Sequence, residues 1–496
     1  MNDAADGYRT DIDYTYSYHS ELNPLRLRLA FLSAGLPAPA VGTACELGFG
    51  QGVSLAIHAA ASAVRWHGTD INPDHAGFAQ NLAAAAGAEV GLHSDSFVDF
   101  SGRDLPMFDY IGLHGVWSWI SDGNRDAIVA FIRRRLKPGG VVYMGYNALP
   151  GWAAFSPLRH LLVEHANRTG SEGTPIAERI DDAVGFLDRL LATNPAFARD
   201  NPGIVDSFKA LREDDRHYLA HEFFNRDWQP MHFTTVTRWL APADVGYACS
   251  TDFADHIDSM GLSAAQRSLL ADVGDSGLRE TVKDLIVNPR FRRDYWVKGT
   301  GQLSTTDRAE ALRGERVVAV VRPLELPLKL RAALALGQTG PGEAAYGAVL
   351  EVLGDGKVRS LGQIEQVLQP KGISLSQIAE AAILIASCDL IQAAQDEQVT
   401  ARVRPRTDRL NTHLIASART VGDVHALASP VTGGGIAVGR TQQLFLAEIR
   451  AGKKRPDEWA RAAAKVLPAE PLADLIDQAR AFADGELPTL RALQVV

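Results

Sequence analysis

The sequence predicts an α/β fold, a Rossmann-like parallel sheet at the amino-terminal end followed by mainly helical middle and C-terminal domains. Three observations predict it. Short apolar runs alternate with helical stretches of about 10–15 residues, the pattern of βαβ units and a parallel sheet. A glycine-rich turn, Glu46-Leu47-Gly48-Phe49-Gly50-Gln51-Gly52, follows the first apolar run. Beyond residue 152 the apolar residues recur at three- and four-residue steps, separated by polar connections.

Each element can be justified in order. GTACELG (42–48) is short, apolar and glycine-ended, as a buried strand should be. Residues 51–63 read as a helix, and WHGTD (66–70) closes a second strand. PDHAGFAQNLAAAAG (73–87) has proline in its first turn and glycine at its stop. EVGLHS and MFDYIGLH follow as strands, DAIVAFIRRRL as an amphipathic helix, and VVYMGYN as a fifth strand after the Lys137-Pro138-Gly139-Gly140 turn. GYACSTDF (246–253) is a possible further strand, and LSTTDRAEALRGERVVAVVRP returns to strand character. YGAVLEVLGDGKVRSLGQIEQVL reads as a small helical or winged-helix unit. ARVRPRTDR (401–409) reads as a linker or exposed strand edge, and Gly433-Gly434-Gly435 as a loop. The expected division is 1–165, a cofactor-binding domain; 166–305, a helical domain; 306–400, a winged-helix-like domain; and 401–496, a helical C-terminal domain.

Composition narrows the function classes. A net charge of −9 argues against a general nucleic-acid binder, whose footprint is basic. Three scattered cysteines, Cys45, Cys249 and Cys388, argue against a disulfide framework or thiolate metal site. The polar start MNDAADGYRTDID lacks the regions of a signal peptide. AEAAILIAS (379–387) is far shorter than the ~18 apolar residues that span a bilayer. The expectation is a cytoplasmic chain, with no membrane insertion and no nucleic-acid partner.

The glycine turn carries the chemistry. Glycines let the backbone turn sharply and approach a ligand closely, and the following helix N-terminus suits a carboxylate. The spacing is G-x-G-x-G, not the G-x-G-x-x-G of dinucleotide enzymes, and Glu46 stands two positions before the first glycine. That combination favours a sulfonium cofactor over a nicotinamide one. Asp70 ends the second strand, where a carboxylate can accept from a ribose diol; capping the next helix is its other reading. Asp95 and Ser96 follow the third strand and either accept from an adenine amino group, with Phe97 over the ring, or form a surface Asx turn. With Phe49, Gly52 and Ile71 beside these motifs, they make up the candidate cofactor contacts.

Aromatic residues are plentiful near the expected cleft, in the lead-in segment and at strand ends: Tyr14, Tyr16, Tyr18, Trp117, Trp119, Tyr146 and Trp152. Aromatic faces hold a cationic sulfur or amine for about 0.5–2 kcal/mol. Tyr18, Trp117 and Tyr146 are the candidates for that role, and Trp119 and Trp152 for core packing. His114 either shuttles a proton or is a hydrogen-bonded structural histidine. His217 and His221 stand four apart in HYLAHE, but the HExxH order is absent and no metal centre is implied.

These motifs resemble the class I methyltransferases that use S-adenosylmethionine (SAM). HGVWSW (114–119), YNALPGW (146–152) and HEFFNRDWQPMHFTTV (221–236) resemble the bacterial members that carry a methyltransferase regulatory domain, among them the rickettsial protein-lysine methyltransferases. The lead-in YTYSYHSELNPLRLRLAFLSAGL, NPRFRRDYWVKG (288–299) and ASPVTGGGIAVGRTQQLFLAEIRAG (428–452) extend the resemblance over most of the chain. It implies that Gly48, Gly50 and Asp70 bind SAM and that His114, Gly115, Tyr146 and Asn147 line the site. Met231 and His232 stand where relatives often have an aromatic pair, which touches substrate contacts, not cofactor binding.

The implied reaction is N-methylation of a polypeptide lysine, with S-adenosylhomocysteine as product; methylation of a small molecule or glycan and an inactive binding scaffold are the alternatives. A lysine must first lose a proton, which from pKa ~10.4 costs roughly 4–5 kcal/mol at neutral pH. His114, Tyr146 and Trp117 are the candidate catalytic residues. The large C-terminal half suits a macromolecular substrate, or else a dimer interface or a lid.

Overall fold

In the computed structural model, residues 15–169, 174–213, 216–299, 301–321 and 343–496 are described; Tyr14 and the side chain of His217 lie outside the description. The largest sheet of the described residues has seven strands in the order β3-β2-β1-β4-β5-β7-β6. These are β1 (Thr43–Leu47), β2 (Arg65–Thr69), β3 (Val90–His93), β4 (Phe108–Leu113), β5 (Leu136–Asn147), β6 (Gly246–Ser250) and β7 (Phe291–Val297). Within that sheet β7 alone runs against its neighbours. Every residue of β1 is buried, as expected of a central parallel strand covered on both faces.

The helices that alternate with the first five strands are α1 (Arg26–Ser33), α2 (Val53–Ala61), α3 (Pro73–Ala86), α4 (Phe97–Ser101) and α5 (Asp122–Arg135). The predicted ends of α3 hold: Asn72 caps its start by accepting from Asp74 N–H, and Gly87 stops it with φ +63°.

The sheet is not finished within residues 1–165. Its last two strands, β7 and the edge strand β6, come from the stretch assigned to the helical second domain. FRRDYWV has three consecutive charged residues, which hides a strand from a hydrophobicity pattern. The fold neutralises them internally: Arg292 pairs with Glu280, Asp284 and Asp294, and Arg293 with Glu21. Between these strands and β5, four helices (Ser156–Thr169, Ile176–Ala192, Ile204–Arg212, Arg216–Phe223) bury a core of their own around Leu162, Ile180, Leu187 and Phe208.

Three expectations change in the C-terminal half. ARVRPRTDR is neither linker nor strand edge but lies inside a 21-residue helix, Glu397–Ser417, with Pro405 in its interior. Its arginines explain why: Arg406 donates to the carbonyl of Ser62 and Arg409 Nε to that of Ala86 at 2.9 Å, so cations meet the C-terminal ends of α2 and α3. Gly434 and Gly435 belong to a strand, β12 (Gly434–Ala437), that pairs with β11 (Ala426–Ser429). LSTTDRAEALRGERVVAVVRP begins as a helix, Thr305–Gly314, because Ser304 caps it by accepting from Asp307 N–H. Only then does it become β8 (Arg316–Ala319), central in a small sheet between β9 (Arg359–Ser360) and β10 (Ile391–Ala393).

All nine residues of α2 are buried. One face meets the sheet; the other packs Val53, Ala56, Ile57 and Ala60 against Leu410, Leu414, Leu427 and Ile436 of the C-terminal region.

Candidate functional site

The carboxyl ends of β1, β2 and β4 open into a pocket at the point where strand order reverses, the place ligands occupy in open α/β sheets. Its wall is formed by Glu46, Gly48, Phe49 and Gly50 after β1, Asp70 and Ile71 after β2, Asp95 to Phe97 after β3, and His114 to Val116 after β4. Gly48 needs its glycine: φ is +70° and the Val116 side chain fills the space a Cβ would take.

Glu46 is the unusual member. It is 3% exposed, and its Oε2 has no hydrogen-bond partner among the described residues. Burial, and then the nearby Asp70 charge, push its carboxyl from the ordinary 4.5 up to about 8. A buried acceptor without a donor costs about 1–3 kcal/mol, which a donor on a bound ligand would recover. The Asp70 carboxylate accepts from Gly50 N–H at 2.8 Å and Asn72 N–H at 3.0 Å. Its Oδ1 also lies 3.3 Å from His75 Nδ1, and of a carboxylate's roughly four lone-pair sites about one is left for a ribose hydroxyl. Asn72, not Asp70, caps α3.

Asp95 reaches the pocket but is forked by Arg103, whose hydrogen bonds hold its carboxyl below the usual range. Ser96 accepts from Asp99 N–H and starts α4, and both residues of the pair line the pocket. Gly115 and His114 line the pocket as expected. His114 Nδ1 is 2.6 Å from the Tyr143 hydroxyl, and its ring stacks on His19 at 3.7 Å. Burial first, then repulsion from any proton on the neighbouring His19 and from the Arg293 cation, hold its pKa well below 6.5. It is neutral and a weak base.

Five expected contacts lie elsewhere. Tyr146 is fully buried and donates to Asp294 at 3.0 Å, on the far side of β5. Trp117 is fully buried in the core beneath, edge-on to Trp239. Asn147 is buried, and its backbone N–H goes to Ser118. Gly52 faces Ala79 of α3 and so packs helices. Tyr18 reaches the C-terminal hairpin: its hydroxyl accepts from Gly435 N–H. Strand alternation is the reason for Tyr146, since neighbouring side chains on β5 face opposite sides of the sheet. Trp152 packs on Phe155, Phe223 and Trp228, as expected of a core residue, and Met231 is buried away from the pocket wall.

Sequence reasoning missed His19, Trp119 as a wall residue, Ile120, Asn124, His221 and Glu222, all of which line the pocket. Trp119 donates its indole N–H to the Glu222 carbonyl at 3.1 Å, so the helix Arg216–Phe223 is tied to the loop after β4. The histidine between Tyr18 and Ser20 offered a local signal; the union of residues 119 and 222 offered none.

Sheet order, glycine turn and the acid closing β2 define a class I methyltransferase fold. A methyltransferase domain model matches residues 44–140, and a predicted methyltransferase regulatory domain matches 215–298. A protein of Synechocystis is 36% identical over 446 residues, 89% of this chain and 87% of its own. The chain belongs to the same family as that protein, and it is a methyltransferase with a methyltransferase regulatory domain. A protein of Rickettsia prowazekii is 24% identical over 64% of this chain and 57% of its own. The structure of PKMT2 from Rickettsia typhi in complex with S-adenosylhomocysteine superposes with a TM-score of 0.68 at 18% identity, covering 97% of this chain and 99% of that one.

Proposed function

We propose that this pocket binds SAM and that the chain methylates lysine side chains of a polypeptide. The observation that carries the reading is Glu46, a buried carboxyl with an unpartnered oxygen among Gly48, Gly50 and Asp70. These residues fit the cofactor group by group. Glu46 would accept from the methionine ammonium, whose charge would draw the carboxyl into its ionised form. Asp70 would accept from a ribose hydroxyl, while Asp95 and Phe97 flank the place of the adenine. The complex of PKMT2 with S-adenosylhomocysteine supports the same reading.

Bound SAM supplies a methyl group activated by a sulfonium. The protein's part is alignment, which can supply about 7–11 kcal/mol. His114 and His19 meet the donor as neutral rings, so neither repels a sulfonium or an incoming amine. The hydrogen bond to Tyr143 and the lowered pKa suit His114 to holding geometry better than to taking the lysine proton. Trp119 and Glu222 also line the pocket, and an aromatic and an acidic residue there would suit a lysine side chain as acceptor. The resemblance to rickettsial protein-lysine methyltransferases points the same way. Free, buried Cys45 and Cys249 suit the reducing cytoplasm, the compartment we propose. No helix of the described residues is long and apolar enough to cross a membrane.

Calorimetric titration with SAM and S-adenosylhomocysteine tests the cofactor: micromolar binding is expected, weakened in Glu46→Gln. Mass spectrometry of lysine-bearing proteins incubated with SAM, against lysine-acetylated controls, tests the acceptor. Equal methylation of the acetylated controls would overturn the lysine assignment, and no binding of either nucleoside would overturn the cofactor.

A further inference from the structure

The lead-in segment before α1 touches two distant parts of the molecule. On one side, Tyr18 enters the C-terminal hairpin. Its hydroxyl accepts from Gly435 N–H at 2.7 Å and shares a hydrogen bond with His58 Nε2 of α2 at 3.1 Å. The fit is close: a Cβ on Gly435 would stand 2.8 Å from Cζ of the Tyr18 ring. Asn23 adds a second tie, donating to the Thr432 carbonyl at 3.1 Å. On the other side, the next residue, His19, forms part of the pocket wall. Its backbone N–H donates to Ser54 Oγ at 2.8 Å, and its ring stacks on His114 at 3.7 Å and 26°. His114 in turn lies parallel to the Tyr143 ring, at 1°, and bonds its hydroxyl.

We propose that Tyr18 is a positioning residue that lets the C-terminal hairpin set the placement of His19, and through it His114, in the methyl-transfer pocket. The inference rests on the methyltransferase reading of that pocket. It assigns the C-terminal region a part in the reaction, because the hairpin holds the segment from Tyr18 to Asn23 at one end and the histidine stack is what that hold delivers. Adjacent residues share a peptide bond, so a displaced Tyr18 ring displaces the His19 backbone with it. Transfer geometry is sensitive to about 1 Å, a scale at which rate can fall ~100-fold. Glu46 stands on β1 and Asp70 directly after β2, so the contacts proposed for them do not pass through this segment.

Two readouts test it. In steady-state kinetics, Tyr18→Phe is expected to lower kcat about tenfold while leaving KM for SAM within about twofold. His19→Ala is expected to give a similar loss, and the double variant no further one, as residues acting in one chain are non-additive. Gly435→Ala approaches from the hairpin side and is expected to reproduce the Tyr18→Phe pattern. Ring-labelled histidine NMR of the full chain supplies a readout that needs no acceptor. Tyr18→Phe should shift the His19 and His114 resonances as well as that of His58. A shift confined to His58, or losses in Tyr18→Phe and His19→Ala that simply add, would overturn the proposal. If the wild-type chain transfers no methyl group, the functional reading fails and the histidine spectrum still decides the coupling.

Discussion

Two buried carboxyls on one sheet meet opposite fates. Asp294 on β7 is 1% exposed and fully provided for: Arg292 grips it through Nε at 2.9 Å and Nη2 at 3.1 Å, and Tyr146 donates at 3.0 Å. Glu280 and Asp284 hold the other edge of the same guanidinium at 2.9 and 2.6 Å. Glu46 at the end of β1 is just as deep and has an oxygen with no donor. Burial raises the pKa of both carboxyls, but at Asp294 a resident cation opposes it, whereas at Glu46 the neighbouring Asp70 adds to it. The difference separates a carboxyl that joins elements from one that we propose receives a ligand. Each acid at the antiparallel edge shares the Arg292 guanidinium, even though Asp284 Oδ2 also lacks a partner there, whereas no cation among the described residues pairs with Glu46.

Removing the cation puts that contrast under the most strain. Arg292→Ala strands three buried acids, and a loss of about 3–5 kcal/mol is expected in denaturant unfolding. A loss below about 1 kcal/mol, the ordinary worth of an exposed pair, would show that the cluster is not a structural joint. Next in size, Asp70→Ala should weaken S-adenosylhomocysteine binding about 100-fold by calorimetry, since it deletes a charge-assisted bond worth about 1.5–3 kcal/mol. Unchanged affinity would take Asp70 out of the site.

Glu46→Gln should cost about tenfold or more in cofactor affinity and yet stabilise the free protein. The sign follows from linkage. A carboxyl that ionises at 4.5 when unfolded and at about 8 when folded contributes stability that is complete below pH 4.5 and lost as pH rises to about 8. Glutamine removes that loss, so the variant's advantage should grow between pH 5 and about pH 8, reaching a few kcal/mol at most. An advantage independent of pH would refute the raised pKa. Smallest of all, Tyr146→Phe should cost about 1 kcal/mol of stability and leave turnover intact. A turnover loss with unchanged stability would return Tyr146 to the reaction.

The same residues show which features were legible in the chain alone. Glu46, Gly48, Gly50 and Asp70 stand close together in a strand–turn–helix–strand unit, and local spacing announces them. Tyr146 reads as a site residue because it lies near the end of β5, but which face of the strand it takes depends on the layers packed on either side. β7 stays hidden because its charges read as solvated when they are internally paired. Trp119 reads as a packing residue, yet it joins the pocket because a helix far along the chain receives its indole N–H.

The sequence by itself determined the βαβ alternation, the glycine turn, the acid at the end of β2, and hence the fold and the donor half of the pocket. Those features arise from backbone propensity, hydrophobic period and short-range spacing, all carried by contiguous residues. Tertiary structure alone decided which aromatics face the ligand, where the edge strands come from, and that His19, Trp119 and Glu222 share a wall. Those outcomes depend on which sheet face, helix end or hairpin meets which, and on whether a buried charge finds its partner across the chain.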